Sequence, residues 1–235
     1  MNTKVERLPL ASEARPALRL EQLRIRIAAR LQMGLYGKFT RYGLCRDLSM
    51  PFEAPRAKIP LEVRRASASD LDAVLDLNDP ANSAQDRIEI AWRRAFAEKG
   101  AQRCYVAVDL RDNTPCYVHW LFNAADTPFL QQFPNLPRLA PHEALLEDCY
   151  TSVKYRGLGI MAEAMARIAE RAADIGCSHV ITFVDQQNIA SLKGCQRAGF
   201  HPHLLHHRTQ LAFGLVQKNS FVPLAANDPR RTLKF

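Results

Sequence analysis

From Leu61 onward, apolar and polar positions alternate between two rhythms, one of period two and one near 3.6. Leu61-Glu-Val-Arg-Arg-Ala-Ser67 alternates as a half-buried strand does. Ser69 and Asp70 offer N-caps for a helix through Asn78, with Leu71, Val74, Leu75 and Leu77 facing inward. A second helix is predicted from about Asp86 to Lys99, ending at Gly100. Arg103 to Leu110 and Cys116 to Phe122 read as a hairpin around the turn Arg111 to Thr114. Ala125 to Pro141 carries four prolines and no clear period, so it reads as a long loop, a type of segment that often serves as a lid. Glu143 to Val153 reads as a strand. It runs through Lys154-Tyr155-Arg156-Gly157-Leu158-Gly159-Ile160 into a helix whose apolar positions are Met161, Met165, Ile168, Ala172 and Ile175, with Gly176 as its C-cap. His179 to Val184 is a buried type of strand. A turn at Asp185 to Asn188 leads to a short helix ending at Arg197, and residues 203–215 and 219–224 form a last pair of strands. The tail, Ala225 to Phe235, is polar and expected to fray.

Before Leu61 the pattern is less regular. Residues 1–16 are polar and punctuated by proline. Ala17 to Leu35 is predicted to be helical, with Leu20, Leu23, Ile27 and Leu31 on one face and Arg19, Arg26 and Arg30 elsewhere. Tyr36 to Leu48 reads as a short extended segment, and Met50 to Pro60, with three prolines, as a linker. The expected organisation is a basic N-terminal extension and linker over residues 1–60, one domain over residues 61–224, and a tail over residues 225–235.

Charge sharpens this division. The 235 residues carry a net charge of +8, and twelve Lys/Arg against five Asp/Glu fall before Leu61, so the remainder is nearly neutral. Basic character confined to one leader argues against nucleic acid as a partner. For the leader helix two readings stay open: packing on its own domain or on a second subunit, as in a homodimer, or contact with an anionic membrane surface or an acyl-carrier protein. The apolar runs are too short to span a bilayer and the N-terminus lacks a secretory apolar core, so a cytoplasmic location is expected. The six cysteines are scattered with no C-x-x-C pair, which argues against a zinc site or disulfide framework. His201, His203, His206 and His207 lie on one strand, from which tetrahedral ligation is implausible, so no metal is expected.

The glycine loop between a strand and a helix N-terminus exposes backbone N–H groups beside the positive end of a helix dipole, an arrangement that suits a phosphate. A dinucleotide fold is one reading, because Gly157-x-Gly159-x-x-Ala162 satisfies the loose fingerprint with Asp185 ending the next strand. Only one further βα unit follows, however, and the loop comes after a hairpin instead of the first strand. The order of elements from Leu61 to Leu224, Arg156-Gly157-Leu158-Gly159-Ile160-Met161, the stretch Asn188 to Phe200 and the opening Val63 to Leu71 together resemble the GNAT acyltransferase superfamily. The resemblance implies an α/β (α+β) fold: a mixed, mostly antiparallel twisted sheet flanked by helices. It implies acetyl-CoA as co-substrate and direct attack by a primary amine of a small molecule, of the amino sugar or amino acid type. CoA would then lie against Thr151, Val153, Arg156, Gly157, Leu158, Gly159, Ile160, Asn188 and Ser191, with Lys154 adding charge. Met161 stands where the family usually has a small residue. Cys195 stands where many members carry a tyrosine that protonates the departing thiolate, which leaves Cys195 and Tyr150 as candidate acids.

Glu143, Glu147 and Asp148 lie on or near the strand that would line the reacting centre. Strand alternation places Glu147 and Asp148 on opposite faces, and Glu147 is the favoured base. His119 is read as a core or rim residue, and Trp92 and Trp120 as core. Two alternatives to acetyl transfer remain: a longer acyl donor, and a CoA-binding module without catalysis.

Overall fold

The computed structural model describes residues 34–235; the predicted leader helix lies almost entirely outside them. Eight strands form one sheet in the order β2-β3-β4-β5-β6-β1-β7-β8. They are β1 (Tyr36–Asp47), β2 (Leu61–Arg65), β3 (Cys104–Asp109), β4 (Thr114–Asn123), β5 (Glu143–Thr151), β6 (His179–Asp185), β7 (His201–Leu211) and β8 (Val216–Pro223). All neighbours are antiparallel except β5 and β6. The helices are α1 (Ala68–Val74), α2 (Ala84–Glu98), the single turn α3 (Thr127–Leu130), α4 (Ile160–Glu170) and α5 (Ile189–Arg197).

Local chemistry explains the helix starts. Ser67 caps α1 and Ser83 caps α2, each in a reciprocal box with the aspartate three residues on, Asp70 and Asp86. Thus α1 begins two residues earlier than Ser69 suggests and ends at Val74, short of Asn78. α4 starts from left-handed Gly159, and Asn188 caps α5 by accepting the Ser191 N–H at 3.1 Å. Two apolar clusters cover the two faces of the sheet. One gathers α4 and α5 around Leu44, Met165, Ile168 and Phe200; the other gathers α1 and α2 around Leu71, Ile90, Phe96 and Trp120.

Four expectations change. First, Tyr36–Asp47 does not belong to an extension ahead of the domain: as β1 it pairs with β6 on one side and β7 on the other, inside the sheet. The boundary expected at residue 60 therefore falls within the sheet's own sequence. Second, the stretch after β4 is partly ordered into short helices and packed. Leu130, Leu136 and Leu139 are buried, and Phe129 and Phe133 lie 5.2 and 4.9 Å from the Phe96 ring. Third, the tail docks: Phe235 lies 5.4 Å from the Tyr42 ring and its N–H donates to Gln196 Oε1 at 3.1 Å. Fourth, Trp120 is fully buried but Trp92 is 39% exposed and is not core.

The proline-rich segment after β1 straps the sheet to the glycine loop. The Lys58 N–H donates to the Leu158 carbonyl at 2.8 Å, and the Ala57 N–H to Glu163 Oε2 at 2.5 Å. Phe52 sits against Gly199, where a Cβ would come within 2.8 Å of its ring.

Candidate active site

A cleft of about 790 Å³ opens between β5 and β6, bounded by α2, the glycine loop and α5. Its origin is a break in strand pairing. β5 and β6 pair in parallel only from Glu143 with His179 to Leu146 with Thr182. On the other side of β5, Val118 of β4 faces Tyr150 while Trp120 faces Glu147, so β5 carries one extra residue. That bulge centres on Asp148, whose φ of 60° is left-handed, a conformation aspartate tolerates better than most side chains. Arg93 of α2 clamps the bulge, its Nε donating to the carbonyls of Asp148 at 3.2 Å and Cys149 at 2.9 Å. The bulge bends β5 away from β6, and the cleft follows.

The bulge also overturns the expected alternation: Glu147 and Asp148 both line the cleft. The Glu147 side chain is 14% exposed, its Oε1 lies 3.7 Å from Arg41 Nη1, and its buried Oε2 has no hydrogen-bond partner among the described residues. Burial pushes its carboxyl up to about 7; Asp148 adds to the rise while Arg41 and Arg93 oppose it. Burial likewise raises Asp148.

Tyr150 is buried, and its hydroxyl reaches Asn82 Oδ1 at 3.4 Å. Guanidiniums of Arg93 and Arg156 lie 5.4 and 5.5 Å from its ring. Burial raises the phenol, and both arginines pull the other way. Cys195 lines the cleft but is 1% exposed, and burial, reinforced by the Cys149 thiol, pushes it well above the ordinary thiol range.

Of the residues assigned to CoA, Thr151, Arg156, Gly157, Gly159, Ile160, Asn188 and Ser191 line the cleft. Val153 and Leu158 do not: Val153 opens a short 3-10 turn, and Leu158 packs against the core with its carbonyl on Lys58. Gly157 and Gly159 have φ of 77° and 80°, left-handed values that glycine adopts without strain, and a Cβ on Gly157 would meet nothing within 4 Å. The Arg156 side chain, half exposed, pairs with α2: its Nη2 lies 2.6 Å from Asp86 Oδ1. Met161 fits its position by packing on Gly194, whose absent side chain leaves room for it; a Cβ there would stand 3.0 Å from the Met161 sulfur.

The sequence reading missed Arg41, Arg93, Lys193 and Arg197, all of which line the cleft. Lys193 and Arg197 are four apart on α5, so they share a helix face. The Arg197 Nη2 lies within 3.7 Å of where a Gly159 Cβ would stand. His119 is buried beside the cleft with Nδ1 2.8 Å from the Tyr117 hydroxyl, and burial lowers it to about 3, so it is neutral. Of the β7 histidines, His206 is fully buried, and no group of three or more metal-ligating side chains occurs among the described residues. No described helix is long and apolar enough to cross a membrane.

The GNAT acetyltransferase family model matches residues 72–200, and the chain belongs to that family. No curated protein matches it. Among solved structures, it is similar to a GCN5-related glucosamine N-acetyltransferase region of a fungal multi-domain GH3 β-N-acetylglucosaminidase, with 14% identity, a TM-score of 0.51, and coverage of 88% of this chain and 24% of that one. It is also similar to a GNAT-family acetyltransferase from Colwellia psychrerythraea, with 11% identity, a TM-score of 0.46, and coverage of 90% and 75%. A third is a GCN5-related N-acetyltransferase from Sphaerobacter thermophilus, with 15% identity, a TM-score of 0.45, and coverage of 78% and 56%. The chain thus spans only about a quarter of the fungal protein and little more than half of the Sphaerobacter one.

Proposed function

We propose that the chain is an N-acetyltransferase that moves the acetyl group of acetyl-CoA to the primary amine of a small molecule, by direct attack of the amine. The observation that carries this reading is Glu147: a largely buried carboxylate whose Oε2 is buried without a hydrogen-bond partner among the described residues, at the point where β5 and β6 part. A base titrating near neutrality is matched to removing a proton from an ammonium at physiological pH.

The donor end of the cleft fits CoA. Backbone N–H groups at Gly157 to Ile160 and the start of α4 offer a cradle for the pyrophosphate, and Lys193 and Arg197 add charge. Arg156 contributes through its backbone, because its side chain is engaged by Asp86. Beyond Leu146 the backbone of β5 has no strand partner on its β6 side, so it can pair with an extended ligand arm and polarise the thioester oxygen. Acetyl-CoA supplies the activated acyl group. Glu147 takes the amine's proton, and a donor on the cleft wall returns one to the leaving thiolate.

Tyr150 suits that second task better than Cys195. Two guanidiniums stand over its ring and stabilise the phenolate it would become, whereas among the described residues no cationic side chain offsets the burial of Cys195. Tyr150→Phe is expected to lower kcat by about 10²-fold, within the usual range for a lost proton donor, while Cys195→Ala should change it by no more than a few-fold. Steady-state rates of both variants check this assignment, and equal losses would overturn it.

The reading as a whole is tested by free-thiol release from acetyl-CoA across a panel of amines beginning with glucosamine and free amino acids. Amine-dependent release with the matching N-acetyl product supports it. Retention on CoA beads without turnover of any amine would point instead to a binding module.

A further inference from the structure

β1 brings one side chain to the cleft, Arg41, and its guanidinium is held in several places. Its Nε donates to His206 Nδ1 at 3.0 Å, and its Nη2 donates to the Asn135 carbonyl at 2.9 Å. The group lies 5.1 Å from the centre of the Phe183 ring. His206 is in turn fixed. It is fully buried, stacks on Phe221 at 4.5 Å and 8°, and its Nε2 lies 2.8 Å from Asn219 Oδ1. Because Nδ1 accepts from Arg41, the ring proton sits on Nε2 and is donated to Asn219. Burial lowers His206 to about 4, so it stays neutral and this tautomer persists at ordinary pH. The remaining edge of the guanidinium, Nη1, faces Glu147 Oε1.

We propose that Arg41 is a positioning residue for Glu147: it holds Oε1 and thereby makes Oε2 the oxygen that takes the acceptor's proton. The proposal rests on Glu147 being the base. The N–H bond of the ammonium breaks, its proton passes to Oε2, and the nitrogen lone pair is freed for the thioester carbon.

Arg41 has a second effect, on the charge of the carboxyl. Asp148 on its own strand and Arg93 from α2 act on Glu147 directly; Glu89 of α2, neutral His119 of β4 and Asp185 at the end of β6 line the same cleft, and His206 and Arg208 of β7 flank Arg41. Burial and Asp148 both favour the protonated acid. Arg41 is the largest influence opposing them at Glu147, whereas Arg93 leads at Asp148. The two carboxyls titrate as a pair, but loss of Arg41 falls mainly on Glu147. Without it, Glu147 would remain protonated at neutral pH and could not act as a base.

NMR of the full-length chain carrying carboxyl-¹³C glutamate tests this with no acceptor needed. The Glu147 signal is the one absent from Glu147→Gln. It should titrate near neutrality in the wild type, move up by at least one pH unit in Arg41→Gln, and fall between the two in Arg41→Lys, which keeps the charge but loses the fork. Asn219→Ala, at the edge of the sheet, should move it in the same direction by less, and it serves as the second probe if Arg41→Gln does not fold. An unchanged midpoint in a folded Arg41→Gln, or in Asn219→Ala where that variant stands in, would overturn the proposal while leaving the base intact. A wild-type midpoint near 4.5 would instead sink the base reading, and the role of Arg41 with it.

Discussion

Glu147→Gln is expected to lower kcat by about 10²–10⁴-fold, the usual range for loss of a positioned base. It should also abolish the rise in activity centred near pH 7 that the wild type is expected to show, as Glu147 ionises. The same substitution should make the protein more stable at alkaline pH. A carboxyl that titrates higher in the folded chain than in the unfolded one, where the reference value is about 4.3, binds more protons when folded across the interval between the two. Wild-type stability therefore falls as pH rises from about 4.3 towards 7, and stays at the lower level above it. Glutamine does not titrate, and Arg41 keeps its bonds to His206 and Asn135 in the variant. The variant's advantage should thus widen between pH 5 and pH 8, by on the order of 1–3 kcal/mol. Urea denaturation at the two pH values measures it. A constant difference would mean that Glu147 is not held protonated by the fold.

This pairing of lost activity with gained stability is what a largely buried, under-satisfied carboxylate implies if it serves as the base. It also explains why the site was only partly legible. The glycine loop, the strand before it and the helix after it announce themselves locally: Gly157 and Gly159 are where left-handed backbone is needed, and the apolar stripe of α4 follows at once. The place of Glu147 on β5, which makes it the favoured candidate base, was also readable. Its relation to Asp148 was not. Alternation is a property of regular strands, and a single left-handed residue cancels it. Aspartate hints at such a residue only weakly, because it is equally at home in turns.

The extended character of β1 was readable, but its place inside the sheet was hidden for a different reason. Its partners lie far away in sequence, at 179–185 and 201–211, and a proline-rich strap separates it from the rest of the sheet. Its centre carries Gly43, which reads as a weak point in a strand. In the folded chain its neighbours close on that glycine: a Cβ would stand 2.5 Å from the Leu204 side chain and 2.9 Å from Phe183, so one of them would have to shift. Arg41 was missed because an arginine in a basic leader looks like part of the leader's charge. Lys193 and Arg197 were legible in principle, being four apart on a helix that opens beside the glycine loop.

Leu44→Ala is expected to destabilise the protein by about 2–5 kcal/mol, the range for truncating a large side chain in a closed core. Leu44 is fully buried in the cluster shared with α4 and α5, between β6 and β7, so the vacated space is bounded by elements already fixed by other contacts. A loss that large is a substantial part of what holds an ordinary domain together. Denaturant midpoints at constant m-value measure it, and a loss below about 1 kcal/mol would mean that β1 is not integral to the core. The strand's two tasks can be separated in this variant. Leu44 serves the α4 face, whereas Arg41 lies over Phe183 in the other cluster and reaches Glu147 across the cleft. At temperatures where Leu44→Ala is still folded, its activity should therefore rise near the same pH as the wild type's. If that rise moved together with the loss of stability, the hold of Arg41 on Glu147 would depend on how tightly β1 is packed, and the core and the site would share one strand energetically as well as in sequence.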